Sequence, residues 1–190
     1  KIMAKSLANC RSVTRMYIDE ATESDWDDTE VDFQINIAYH EVIAAVLEVF
    51  EQFYVIKAQF NSVASQQEYG TSDGVPTDIQ KIERVEINYD PSVSGATPSR
   101  ALPVEMEEVT TNLASTVIGS TVTGVAAYYF YGLGSGSSGI KIGFIPVPDE
   151  NGTNAISLWY VQAQSDLSNS NTNVNIPYAD NYFKIICKRA

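Results

Sequence analysis

The side chains able to do chemistry in this chain are few. His40 is the single histidine, and Glu41 follows it. A transition-metal site needs several His or Cys ligands, and a nucleophilic triad needs a His base, so one ring cannot build either by itself. Glu105, Glu107 and Glu108 offer a carboxylate pair of the kind glycoside hydrolysis uses, but such pairs arise in almost any chain this acidic. Gly134-Ser-Gly136-Ser-Ser-Gly139 fits the spacing GxGxxG. The phosphate site of that motif is a helix N-terminus, and here the glycines lie between two expected strands, so the stretch reads as a hairpin loop. Asn151-Gly-Thr153 is a glycosylation sequon only in a secreted protein. Cys10 and Cys187 are the two cysteines, too few for a disulfide framework, and both fall in segments with helical spacing. Two cysteines near opposite ends could form one bridge, but free, buried thiols are the expectation. The residues therefore point to no catalytic group, no cofactor and no metal.

The clearest positional pattern runs from Val125 to Val161. Tyr128 and Phe130 share one face and Tyr129 and Tyr131 the other; Ile140, Ile142 and Phe144 share a face, as do Ile156, Leu158 and Tyr160. Period two in such residues predicts three strands, with Pro146 and Pro148 closing the second and Asn151-Gly152 turning the chain back as a β-meander. Aromatic residues gather here (Tyr128, Tyr129, Phe130, Tyr131, Trp159 and Tyr160), which suits either an interface or a platform for sugars.

Ahead of that stretch, Ser6 to Ile18 has helical spacing with Leu7, Cys10, Val13 and Tyr17 on one side. A helix is then expected from about Glu30 to Ser65, with Thr29 and Asp32 as its capping pair. Tyr39, Val42, Val46, Val49, Phe53, Ile56, Phe60 and Val63 recur at spacings of three and four. Its 33 residues from Val31 to Val63 would span about 50 Å, too long for one small chain to cover, which points to a neighbouring subunit. Tyr39, Val46, Phe50, Phe53, Tyr128, Tyr131 and Trp159 are the oligomer-interface candidates. Strands are expected at Gln67–Tyr69 and Ile82–Tyr89, a short helix from Pro103, and a last amphipathic helix from Pro177. The fold class read from this order is α+β: a helical body with one long helix, an inserted antiparallel β-meander subdomain and a C-terminal helix. The divisions expected are 1–66 helical, 67–176 mainly β, and 177–190 helical, together one structural unit.

The chain has 190 residues and a net charge of −12, which argues against a sequence-independent grip on nucleic acid or an anionic membrane. No apolar run approaches the roughly 18 residues of a membrane span. Leu7-Ala8-Asn9-Cys10 mimics a lipoprotein signal, but the apolar stretch before it is too short and polar. The Lys1 start and the mid-helix end at Ala190 suggest further residues at both ends. Eight acidic residues and no basic one lie between Asp19 and Asp32. Among them Asp19, Glu20, Glu23, Asp25, Asp27 and Asp28 are expected to face solvent or a channel.

Several strings, in this order, resemble the head-to-tail adaptor (connector) ring proteins of tailed bacteriophages, particularly the short-tailed type. They are Trp26 before an acidic helix start; Gln34-Ile-Asn36-Ile-Ala38; Val75-Pro76-Thr-Asp78-Ile79 before Arg84-Val85-Glu86; Gly139-Ile-Lys-Ile142 running into Ile145-Pro146-Val-Pro148; Leu158-Trp159-Tyr160; and Asn175-Ile-Pro177. The loop from Gly132 to Gly139 is longer than the hairpin usual in that family. The resemblance implies a non-enzymatic virion protein of the neck or tail, assembled in the host cytoplasm. It implies a homo-oligomeric ring, usually of twelve copies, joined to the portal protein and to the next tail component, nozzle or tail tube. DNA would pass through without specific binding, repelled by an acidic channel, and no membrane is involved. Tyr182, Lys184, Lys188 and Arg189 are the portal-contact candidates. A secreted or tail-associated glycan-binding or glycan-cleaving domain using the aromatic cluster is the alternative.

Overall fold

A computed structural model describes residues 6–20, 25–104, 126–132, 140–168 and 179–190. The chain divides into two compact units: residues 1–54 with 163–190, and residues 55–162, a continuous segment inserted between the two parts of the first.

The first unit is helical. Helix α1 spans Leu7–Tyr17, and the Ser6 side chain caps it by accepting from the Asn9 N–H. Helix α2 spans Asp28–Val49 and begins with a reciprocal capping box between Asp27 and Glu30. That cap satisfies two orphan donors and sets the start two residues before the expected one; Asp27 with Glu30, not Thr29 with Asp32, makes the pair. Helix α3 spans Ala179–Arg189. The inner side of α2 carries Val31, Ile35, Ala38, Tyr39, Val42, Ile43 and Val46, all buried, and Leu7, Cys10, Ile186 and Cys187 are buried on α1 and α3. Residues 163–168 return along α2. The Asn36 side chain donates to the Leu167 carbonyl at 3.3 Å and accepts from its N–H at 2.7 Å. One helical turn on, His40 contacts the Asp166 carboxylate at 2.7 Å. The single histidine thus meets a side chain of the returning segment.

The second unit is one seven-stranded mixed sheet that curls on itself. Its strands are β1 (Val55–Ser62), β2 (Glu68–Tyr69), β3 (Ile79–Ile87), β4 (Ser99–Pro103), β5 (Ala127–Gly132), β6 (Ile140–Ile145) and β7 (Gly152–Gln162). Their spatial order is β1-β7-β3-β4-β5-β6-β2. Every pair is antiparallel except β4–β5, which is parallel and therefore needs the long connection between them. Phe60, Tyr69, Val85, Ile87, Ala101, Tyr128, Ile142, Phe144, Ile156, Leu158 and Tyr160 form one core to which all seven strands contribute. Tyr69 sits near its centre, with its ring 5.8 Å from Phe60 and 5.7 Å from Phe144 and its hydroxyl bonded to the Val63 backbone.

Several sequence expectations fail here. No helix runs from Glu30 to Ser65: α2 stops at Val49, and Val55–Ser62 is strand. Phe53, Ile56, Phe60 and Val63 have helical spacing, but Ile56, Ala58 and Phe60 also share a face at period two. Pairing with β7 along Val55–Phe60 selects the second pattern. The β-meander is also replaced. β5 and β6 pair as a hairpin, but β7 leaves β6 and inserts between β1 and β3, so the sheet is mixed rather than an antiparallel meander. The left-handed residue before β7's core section is Asn154, φ 52°, not Asn151 or Gly152. Helix and strand contribute about equally, and no helix exceeds the 22 residues of α2 among the described residues. Pro103, expected to open a helix, closes β4 instead. The glycine loop 134–139, Glu105, Glu107 and Glu108 lie outside the described residues.

Gly143 faces Tyr129 across the β5–β6 ladder, and the Tyr129 ring lies where a Cβ would stand, 2.1 Å away. Tyr129 is held there by its hydroxyl, which donates to Glu68 at 3.0 Å. Gly143→Ala should therefore expel the ring and cost about 1–3 kcal/mol, read as a lower urea midpoint at unchanged slope.

Burial, then the hydrogen bond to Asp78, pushes the Tyr160 phenol up to about 12 from its ordinary 10. Tyr54, Tyr69, Tyr89 and Tyr128 are raised by burial as well. A raised folded pKa leaves stability complete below the unfolded value of 10 and removes it as pH climbs through 12. The tyrosines' contribution to the denaturation midpoint should be constant below pH 10 and fall above it. Tyr160→Phe should make that alkaline fall shallower.

Candidate assembly surfaces

The acidic run folds around two arginines of α1. Arg11 grips Asp32 with two nitrogens, its Nε at 2.8 Å, and also pairs with Asp28. Arg15, 7% exposed, donates to the Trp26 carbonyl at 2.9 Å and to Asp28 at 3.0 Å, and faces the Glu20 carboxylate at 3.7 Å. Glu20 in turn accepts from the Asp25 and Trp26 N–H groups. Charge-assisted, partly desolvated bonds of this kind are stronger than surface ion pairs, so they order the entry to α2. Asp19, Asp25 and Asp27 remain exposed, while Glu23 lies outside the described residues. The run carries no basic residue of its own, and the fold lets each arginine of α1 serve more than one acceptor.

The interface candidates separate. Tyr39 and Val46 are buried in the chain's own helical core. Phe50 and Phe53 are half-exposed, Phe53 standing edge-on to Tyr54 at 4.9 Å. Tyr128 is buried in the sheet core, and the Tyr131 side chain is outside the described set. Trp159 is on the opposite face of β7, with Lys57 Nζ 4.8 Å and the Arg84 guanidinium 5.1 Å from its ring centre. The aromatic cluster is therefore dispersed. Tyr128 and Tyr160 are core, Trp159 has cations over it, and Phe130 is exposed on a different strand.

The sequence reading missed a set of exposed apolar residues in the helical unit. Trp26 is 49% exposed and Phe33 63%, with Ile37, one turn beyond Phe33, and Val49 also exposed. Phe33 and Ile37 lie off the stripe that fills the core, whereas Val49 continues it past Val46, the last buried position of α2. The available signal was the helix itself, which is apolar on more sides than one short bundle can cover.

On α3, Lys184 is exposed, Lys188 lies 5.5 Å from the Tyr17 ring centre, and Arg189 pairs with Glu41. The Tyr182 side chain is outside the described set. Among the described residues no group of three or more His, Cys, Asp or Glu is placed to hold a metal ion. Among them also, no helix is long and apolar enough to cross a membrane.

Exposed apolar side chains in the helical unit and ion pairs that hold the entry to α2 are the features a family comparison can be set beside. The family model described as SU10 adaptor protein matches residues 6–190, and the chain belongs to that family, a head-to-tail adaptor of short-tailed phage type. No curated protein matches it.

Arg15 is the more buried of the two arginines. Removing it strands a backbone carbonyl and two carboxylates that stay partly solvated, so Arg15→Leu should cost about 2–3 kcal/mol, below the cost of a fully buried pair. Loss of far-UV helix signal at a lower denaturant concentration would register it.

Proposed function

We propose that the chain is a subunit of a ring that joins the portal to the tail in the virion neck. The observation that carries this is the adaptor-family match over residues 6–190. Twelve copies, docking on the portal on one side and on the nozzle or tail tube on the other, complete the reading. The subunit does no catalysis; it holds geometry.

Phe33 and Ile37, one turn apart and both exposed on α2, support self-association, with Phe50 and Phe53 exposed just past the end of the same helix. Phe33, Ile37, Phe50 and Phe53 are the residues assigned to the contact between copies; Tyr39 and Val46 act behind it by holding α2 in place. Tyr182, Lys184, Lys188 and Arg189 on α3 are assigned to the portal contact. A net charge of −12 supports a channel that repels DNA phosphates, so that the genome passes without sticking. Asp19, Asp25 and Asp27 are exposed and available for such a wall.

Particle mass in solution, measured alone and with the portal, tests the reading. Multiples of the chain mass that form with the portal are expected, and a chain that stays monomeric with it at every concentration overturns the ring. Phe33→Glu sits at an exposed position, so it should change monomer stability by no more than about 0.5 kcal/mol while blocking assembly.

A further inference from the structure

The assembly reading leaves two buried nucleophiles unused. We propose that Cys10 and Cys187 are a disulfide site, closed by exchange with a small-molecule disulfide, which covalently joins the first helix of the chain to the last.

The geometry starts from α1. Cys10 and Thr14 are one turn apart on the same face of that helix, and the Thr14 hydroxyl donates to the Cys187 carbonyl at 3.2 Å. Cys187 on α3 is thereby fixed within a turn of Cys10. Both are free thiols, 0% and 1% exposed, and near enough for each to shift the other's ionisation. A chain with only two cysteines, 177 positions apart, places them side by side in one helical core. No third thiol competes for either.

The reaction balances with one small disulfide such as oxidised glutathione. The thiolate of one cysteine attacks a sulfur of the reagent, breaks its S–S bond and releases one molecule of reduced thiol. The second cysteine thiolate then displaces the remaining half. The chain loses two hydrogens and two electrons, and the reagent takes them up as two thiols. Cys187 is the better attacker: the neighbouring Cys10, then Thr14, favours its thiolate, while Cys10 is pushed up by Cys187 and by burial. Access requires the contact of α1 with α3 to open, so the exchange is slow in the native chain and faster in dilute urea.

The consequence is topological. Both parts of the helical unit, 1–54 and 163–190, become one covalent ring through the whole of 55–162. In a reducing cytoplasm the thiols stay free; in an oxidising surrounding the cross-link forms and the helical unit no longer relies on packing alone. Closing so long a loop should raise the thermal midpoint by about 5–15 °C.

The purified chain is incubated with oxidised glutathione, then alkylated and weighed intact. The expected product is monomeric and lighter by two hydrogens, takes up no alkyl group after unfolding, and reverts with dithiothreitol. Limited proteolysis within 55–162 gives a second reading that needs no mutant. Fragments from the two ends should stay joined on a non-reducing gel and separate on reduction. Cys10→Ser and Cys187→Ser should each abolish that joining. Two alkylatable thiols after prolonged exposure in dilute urea, stable glutathione adducts on both, cross-linked dimers, or an oxidised chain with a lower midpoint would each overturn the proposal.

Discussion

The sheet unit depends on one strand being paired along both edges. β7 bonds to β1 through Val55–Val161 to Phe60–Ile156, and to β3 through Ile79–Gln162 to Ile87–Ile156. Among the described strands, β1 has no other partner. β7 also supplies Ile156, Leu158 and Tyr160 to the core, where burying an apolar side chain of this size is worth about 1.5–3 kcal/mol. A strand late in the sequence thus organises two that precede it. The loops it closes are long, but closure entropy grows only slowly with length, so the added cost is outweighed by a continuous core.

The helical unit solves a related problem with different means. Its two parts are separated by the whole sheet unit in sequence, and they are rejoined by polar as well as apolar contacts. Asn36 satisfies both backbone groups of Leu167, and Thr14 reaches the Cys187 carbonyl. Buried backbone groups left unpaired would each cost about 1–3 kcal/mol, so these side chains define where the returning segments can lie. Arg11 and Arg15 perform the same service for the acidic entry to α2. Charge that looks excessive along the sequence is partly consumed in space.

What remains after this internal accounting is a surface suited to assembly. The polar and charged groups that hold the fold are mostly paired inside each unit, whereas Phe33, Ile37, Phe50 and Phe53 keep their apolar area in water. Titratable side chains are used for fastening: His40 meets the Asp166 carboxylate, and Glu68 positions Tyr129.

The sequence by itself determined the local features. Alternation placed Ile142, Phe144, Ile156, Leu158 and Tyr160 on core faces, helical spacing found α1, and the ordered strings pointed to the adaptor family. It did not determine where α2 ends. From Val49 to Val63 the same apolar residues satisfy period 3.6 and period two, no glycine or proline breaks the tie, and only the partner strand β7 does. Nor did it show that β7 leaves its hairpin neighbour, that Cys10 meets Cys187, or that Arg15 is buried among carboxylates. Each of these is a contact between residues far apart in the chain. Local pattern carries the energy of a residue and its near neighbours; pairing between distant segments is decided by which surfaces can be buried together, and that is a property of the folded whole.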